Sequence, residues 1–231
     1  MSAEHLAFKP KVSPLIPIVE DERQFPVNRI FCVGRNYAEH AREMGNGPDR
    51  DPPFFFLKSL DALVPGGGAV TYPMATNDLH HEIEMIVAIG LSGSEIAKAD
   101  ALGHVFGYAI GLDLTRRDLQ AQAKKMSRPW DFGKSFEQGA PMTAITKTNL
   151  CGHLSSGEIS LTVNDKVQQI GNLNEMIWDV PEIISFLSRF YHLEAGDLIF
   201  TGTPAGVGAL DRGDHLIGRV AGLPDLAVDI I

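Results

Sequence analysis

The stretch His80-His81-Glu82-Ile83-Glu84-Met85-Ile86-Val87-Ala88-Ile89-Gly90 decides both the fold class and the chemistry of this chain. Its second half is an apolar, β-branched run closed by glycine, which predicts a buried strand. Side chains alternate across a strand, so Glu82 and Glu84 project to one face at its mouth. Two like charges converging beside an apolar run are costly unless a positive group holds them. A divalent cation meets that need; a solvated strand end with two exposed glutamates is the plain alternative.

Further along, Gly107-Tyr108-Ala109-Ile110-Gly111-Leu112-Asp113-Leu114-Thr115 predicts a second buried strand with one acid, Asp113, near its end. A lone acid among apolar neighbours requires a partner. Three carboxylates without a nearby cysteine pair make a hard, oxygen-only donor set, suited to Mg²⁺ or Mn²⁺ rather than zinc. His80 and His81 face opposite ways in a strand, so at most one could reach the same ion. A turn or supporting role suits both.

The whole chain sets the frame. Its 231 residues can bury a sizeable core as one domain, or as one domain over 28–231 with an N-terminal arm over 1–27. With 44% hydrophobic and 21% charged residues the composition is that of a globular protein and argues against a disordered chain. The formal net charge of -9 offers no basic patch for nucleic acid or for an anionic membrane. Cys32 and Cys151 lack metal-type spacing and read as free thiols of a reducing compartment. Met1 to Lys11 has no apolar signal-peptide core and no run spans a bilayer, so the expected location is the cytoplasm.

Around Pro10, Pro14, Pro17 and Pro26 the arm reads as extended, with one short edge strand. Arg29 to Gly34 predicts the first core strand. Asn36 can cap a following helix that Gly45 ends, and on it His40 and Glu43 share a face at i and i+3. A carboxylate beside an imidazole suits a water-activating base, whereas a surface ion pair is the plainer reading. Phe54-Phe55-Phe56-Leu57 reads as core. Thr115 to Met126 predicts a helix capped by Thr115, with Arg117 and Gln120 on one face, either greeting an anionic ligand or pairing Arg117 with Asp113. Lys134 lies among aromatics, either snorkelling or serving as a desolvated electrophile. Glu158 to Ile170 predicts a hairpin turning at Asn164-Asp165, and Asp179 with Glu182 a capping box ahead of the stripe Ile183, Ile184, Leu187 and Phe190. Leu198 to Thr201 predicts a strand leading into Gly202-Thr203-Pro204-Ala205-Gly206-Val207-Gly208. There, glycine amides and the Thr203 hydroxyl could hold a carboxylate.

Taken in order, Val33-Gly34-Arg35-Asn36-Tyr37 with His40 and Glu43, His81-Glu82-Ile83-Glu84, Leu112 to Gln120, Gly133-Lys134-Ser135 and Phe200 to Gly208 resemble the fumarylacetoacetate hydrolase superfamily. The resemblance covers about residues 28 to 231. It implies a mixed α/β, mainly β fold, a mixed β-sandwich roll with flanking short helices, assembled as a homodimer. It also implies Mg²⁺ or Mn²⁺ on Glu82, Glu84 and Asp113, and His40 with Glu43 activating water from a lid helix. Lys134 would stabilise developing negative charge, while Arg35, Arg117, Gln120 and Thr203 would bind a small dioxo-acid substrate. Pro52 to Lys58, Gly107 to Gln120 and Met176-Ile177-Trp178 resemble the branch acting on fumarylpyruvate in bacterial aromatic-acid breakdown. The implied reaction is hydrolysis of the carbon–carbon bond of a 2,4-dioxo acid. Decarboxylation of oxaloacetate by the same site is the alternative, and a non-enzymatic metal-binding β domain a remote one. No residue is singled out to read a distal carboxylate; Arg35, Lys124 and Arg128 are the candidates.

Overall fold

The computed structural model describes residues 7–9, 11–43 and 51–231, without the side chains of Ala41 and Glu43. At its centre is an eight-stranded mixed sheet. Its order runs Phe54–Lys58, Ile30–Gly34, Leu198–Phe200, Ile83–Ile89, Val105–Leu112, Ala140–Met142 and Leu63–Pro65, with Thr146–Lys147 also paired to Val105–Leu112. A five-stranded sheet, Lys166–Asn172, Glu158–Val163, His215–Val220, Leu226–Ile230 and Gly68–Val70, packs against it. The expected β roll with short flanking helices is what the chain forms.

Alternation along the central strands builds two cores. Phe31, Val33, Ile83, Met85, Val87, Tyr108 and Ile110 face the five-stranded sheet, meeting Ile159, Leu161, Leu216 and Val228. The intervening Ile30, Cys32, Ile86, Ala88, Ala109 and Phe200 form the second core on the opposite face. Both faces of the sheet are buried, which is why its strands read as near-continuous apolar runs. The arm covers the second face. It forms two strands rather than the single edge strand expected, Leu15–Ile18 paired antiparallel with Asp21–Pro26, and buries Ile16, Ile18, Phe25 and Val27 there.

The opening stretch departs from one continuous strand. Leu79–His81 belongs to a small three-stranded sheet with Thr115–Arg116 and Gly208–Leu210, whereas Ile83–Ile89 belongs to the central sheet. The chain changes sheets at Glu82, whose carbonyl accepts the Asp113 amide at 2.9 Å. Both acid-bearing strands therefore end at the same crossing point.

The local readings at Glu158–Val163 and Lys166–Asn172 hold, with Asn164 and Asp165 at φ 49° and 62° in the tight turn. The Asp179–Glu182 capping box also holds, opening the helix Val180–Leu187. Phe190, placed on that helix's stripe by its spacing, lies beyond the helix end and is exposed. Thr115 does not cap the next helix: it is in a strand, its hydroxyl donates to the Asp113 carbonyl, and the helix runs Arg117–Lys125. Phe54 to Leu57 is not core but an edge strand, with the phenylalanines half-buried and Leu57 exposed.

Gly111 sits opposite Glu84 in the ladder. A Cβ there would lie 2.5 Å from Ile86 Cδ1 and 2.8 Å from Phe200 Cε1. Gly111→Ala is therefore expected to lower the unfolding free energy by about 1–3 kcal/mol through overpacking, read by urea unfolding; unchanged stability would show that the second core has slack.

Candidate metal centre and active site

Glu82, Glu84 and Asp113 converge at the crossing point. One carboxylate oxygen from each lies within 4.8 Å of the others, and all three residues are buried. Glu84 and Gly111 are cross-strand partners, so Asp113, two residues beyond Gly111, returns to the face that carries Glu84.

Three cations meet these three acids. Lys134 Nζ donates to Glu82 Oε2 at 2.7 Å and to Asp113 Oδ2 at 2.6 Å. Arg117 Nη2 donates to Glu82 Oε1 at 2.6 Å, and its Nη1 to Gln120 Oε1 at 2.7 Å. Arg117 thus pairs with Glu82, not with Asp113. Lys134 is buried on the one-turn helix Asp131–Lys134 and does not snorkel. Lys58, on the Phe54–Lys58 edge strand, approaches Asp113 Oδ1 at 2.8 Å with its side chain fully buried. Its ammonium also donates to the carbonyls of Leu114 and Lys134.

Lys58 was missed by sequence reading. The signal was present: Phe54, Phe56 and Lys58 alternate onto one face, and their partners Cys32 and Ile30 belong to the acid-bearing side of the sheet.

Electrostatics separates the two glutamates. Burial pushes Glu82 upward, but the charges of Lys134 and Arg117 outweigh it and hold its carboxyl below the usual range. Burial, then the neighbouring Asp113 and Glu82 charges, push Glu84 well above it. The Gly202 backbone amide donates to Glu84 Oε2 at 2.7 Å. Burial alone would lower Lys134, yet Asp113 and Glu82 raise it above its ordinary value. Asp113 Oδ1 is buried and accepts no aligned hydrogen bond. An all-oxygen donor set and a buried acid, Glu84, that none of the three cations pairs with together fit a hard divalent cation.

The histidines divide as alternation requires, and neither joins the carboxylate cluster. His80 Nε2 lies 2.9 Å from Asp78 Oδ1. His81 Nδ1 lies 2.9 Å from Gln169 Oε1, which also accepts the Ile83 amide at 3.0 Å. As Oε1 only accepts, Nδ1 carries the proton. Gln169 Nε2 in turn donates to the Thr203 hydroxyl and the Pro204 carbonyl, both at 2.8 Å.

The cluster opens into a cleft lined by Arg35, His40, Phe56, Arg117, Gln120, Lys124, Trp130, Lys134 and Thr203. His40 is buried on the helix Ala38–Glu43 and lines the same cleft as Glu82. The side chain of Glu43 and all of Gly45 lie outside the described residues. Asn36 does not cap this helix. Its side chain donates to the Thr201 and Trp178 carbonyls and accepts the Trp178 amide, tying the helix entry to the strand end beneath the site.

Residues 29–231 match the family described as fumarylacetoacetate (FAA) hydrolase, C-terminal. The chain belongs to this family. It is 43% identical over 189 residues to a fumarylpyruvate hydrolase of Ralstonia sp, covering 81% of this chain and 98% of that protein. It is 40% identical over 205 residues to a mitochondrial oxaloacetate decarboxylase of Dictyostelium discoideum, covering 88% and 94%. Among solved structures, the fumarylpyruvate hydrolase from Pseudomonas aeruginosa in complex with Mn²⁺ and pyruvate superposes with a TM-score of 0.96 at 45% identity, covering 98% of this chain and 99% of that one. Among the described residues, no helix is long and apolar enough to cross a membrane.

Lys58→Met would leave Asp113 without one of its two cations in a buried setting. Thermal unfolding in chelator should show a loss of about 3 kcal/mol or more, the usual consequence of breaking one side of a buried pair; a change within error would mean that Lys134 alone suffices.

Proposed function

We propose that this chain is a divalent-metal-dependent hydrolase of 2,4-dioxo acids, cleaving fumarylpyruvate to fumarate and pyruvate. One observation carries the reading: three buried carboxylates open into a cleft that also holds the imidazole of His40 and the ammonium of Lys134. Similarity to fumarylpyruvate hydrolases in sequence and in fold supports the substrate.

Glu82, Glu84 and Asp113 would hold Mg²⁺ or Mn²⁺. When bound, that ion supplies chelation of the 2-oxo-acid end and neutralises the negative charge that gathers there as the carbon–carbon bond breaks. His40 takes a proton from water while the water oxygen bonds to C4. Glu43, three residues further along the same helix, is assigned to orient the imidazole on its spacing alone. Lys134 donates to the oxygen that becomes anionic at C4. The C3–C4 bond then breaks with its electron pair remaining on C3, and the proton held by His40 passes to C3, releasing pyruvate and the new carboxylic acid. Arg117, Gln120 and Thr203 bind substrate oxygens, and Arg35 binds substrate at the cleft mouth. The chain is further read as a cytosolic homodimer, the compartment being supported by the free thiols of Cys32 and Cys151.

The similarity to an oxaloacetate decarboxylase supports a second reading, in which the same site removes carbon dioxide from oxaloacetate without an attacking water.

The experiment follows ultraviolet loss of the enol form of fumarylpyruvate with Mg²⁺, then with excess chelator. Rapid, chelator-sensitive loss with stoichiometric pyruvate is expected. Absence of loss with oxaloacetate consumed instead assigns the chain to the lyases, and Mn²⁺ binding without turnover of either removes the enzymatic reading.

His40→Ala separates chemistry from binding. Its kcat should fall at least about a hundredfold, the scale of a lost general base, while Mn²⁺ affinity by calorimetry stays within about twofold. Loss of Mn²⁺ binding would make His40 a structural residue.

A further inference from the structure

Glu84 is the one acid of the buried cluster that Lys58, Lys134 and Arg117 leave without an ion pair. It accepts the Gly202 amide at 2.7 Å instead. That amide belongs to the Thr201–Gly202 peptide, which is trans, so its carbonyl points the opposite way. The carbonyl accepts Asn36 Nδ2 at 2.8 Å, and Asn36 Oδ1 in turn accepts the Trp178 amide at 2.8 Å. A continuous line therefore runs from the Trp178 N–H through the Asn36 side chain and the Thr201–Gly202 peptide to the Glu84 carboxylate. Every N–H in it is turned toward Glu84. Amides joined in this sense polarise one another, and the last N–H offers a carboxylate more positive charge than an isolated peptide does.

The line is fixed at each joint. Asn36 Nδ2 faces two carbonyls, Thr201 and Trp178 at 3.0 Å, while Oδ1 faces an N–H, so the side-chain amide cannot be turned round. Its backbone carbonyl accepts the Ile177 amide at 2.8 Å, and the residue is buried. Thr201 donates twice to the Met85 carbonyl, from its amide at 3.0 Å and from its hydroxyl at 2.9 Å. Gly202 adopts φ +97°, and a Cβ there would lie 2.7 Å from Asn36 Cβ. The close approach of the two residues thus depends on glycine.

We infer that Asn36 is a positioning residue of the metal centre: acting through the Thr201–Gly202 peptide, it aims the Gly202 amide at Glu84 and so holds that carboxylate in place for a divalent cation. The line of amides does for Glu84 what ammonium and guanidinium groups do for Glu82 and Asp113, without placing a full positive charge where the metal would bind. The inference rests on reading the carboxylate cluster as a metal site.

The test measures Mn²⁺ binding by calorimetry. Asn36→Ser, whose shorter side chain gives up the bond to Thr201, should weaken Mn²⁺ about tenfold or more, the usual cost of losing a group that orients a metal ligand. Leu161→Ala, a cavity in the core facing the five-stranded sheet, should lower the melting temperature while keeping Mn²⁺ affinity within about twofold. The electron paramagnetic resonance spectrum of bound Mn²⁺ should change in the first variant and not in the second. Unchanged affinity in Asn36→Ser overturns the inference. So does a loss of affinity in both variants that follows their loss of stability, which would make Asn36 a structural residue. A measurement on the wild-type chain needs no variant to fold: with Mg²⁺ bound, the Gly202 amide proton should resonate well downfield of the other backbone amides, and an ordinary shift overturns the line of amides. Fumarylpyruvate turnover, measured in parallel, keeps the two readings apart. Weakened Mn²⁺ binding in Asn36→Ser with no turnover by the wild-type chain retains Asn36 in its role and removes the hydrolase. Turnover by the wild-type chain with Mn²⁺ bound as tightly by Asn36→Ser does the reverse, and a wild-type chain that binds no Mn²⁺ removes both.

Discussion

Burying Glu82, Glu84 and Asp113 within a few ångströms of one another is the constraint on which the structure turns. Unpaired, three carboxylates at that depth could not all remain ionised. The fold answers with Lys58, Lys134 and Arg117, drawn from an edge strand, a one-turn helix and the helix that follows the acid-bearing strand. Acids and cations balance in number, so the cluster can form before any metal arrives. A divalent cation joining it would leave the site net positive and receptive to an anion. The groups that make the site foldable and those that would make it reactive overlap in Lys134.

Positioning comes from a break, not from regularity. Had Leu79 to Ile89 run on as one strand, Glu82 would have lain along the plane of a single sheet. By changing sheets at Glu82, the chain brings the strand beginning at Ile83, the end of Val105–Leu112 and the Leu198–Phe200 exit together. Gln169, reaching in from the five-stranded sheet, secures the junction: it ties His81, the Ile83 amide, Thr203 and Pro204 together. On the acid-bearing face, Glu84 continues into Ile86 and Ala88 beneath the arm hairpin. The apolar burial that supports the polar cluster is therefore continuous with it.

Much of this was legible from period-two alternation. Glu82, Glu84 and Asp113 could be placed on one face because a strand's side-chain period is insensitive to its neighbours, and the opposed directions of His80 and His81 follow from the same rule. The hairpin turn at Asn164-Asp165 and the Asp179 cap were equally local. What escaped were features whose cause is distant in sequence. Lys58 reads as the polar end of an aromatic run until the edge strand is paired, when it lands on Asp113, 55 positions away. Thr115 and Asn36 have the composition of helix caps, yet both spend their hydrogen bonds on strand ends. Phe54 and Phe56 look like core, but at a sheet edge Phe56 lines the cleft and Phe54 a neighbouring groove.

Relatives of comparable similarity are named for hydrolysis of fumarylpyruvate and for decarboxylation of oxaloacetate. Both reactions leave negative charge on the carbon next to a 2-oxo acid, so both require the same anchoring end. The carboxylates, with Lys58 and Gln169 behind them, cannot be what separates the activities, because altering any of them removes the shared requirement. Divergence has to lie where the demands differ. Hydrolysis alone needs a base poised over water, the role proposed for His40 on its short helix. That short helix lines the cleft and is not one of the central strands. A fold organised in this way can change its substrate while leaving untouched the charge balance that holds its core together.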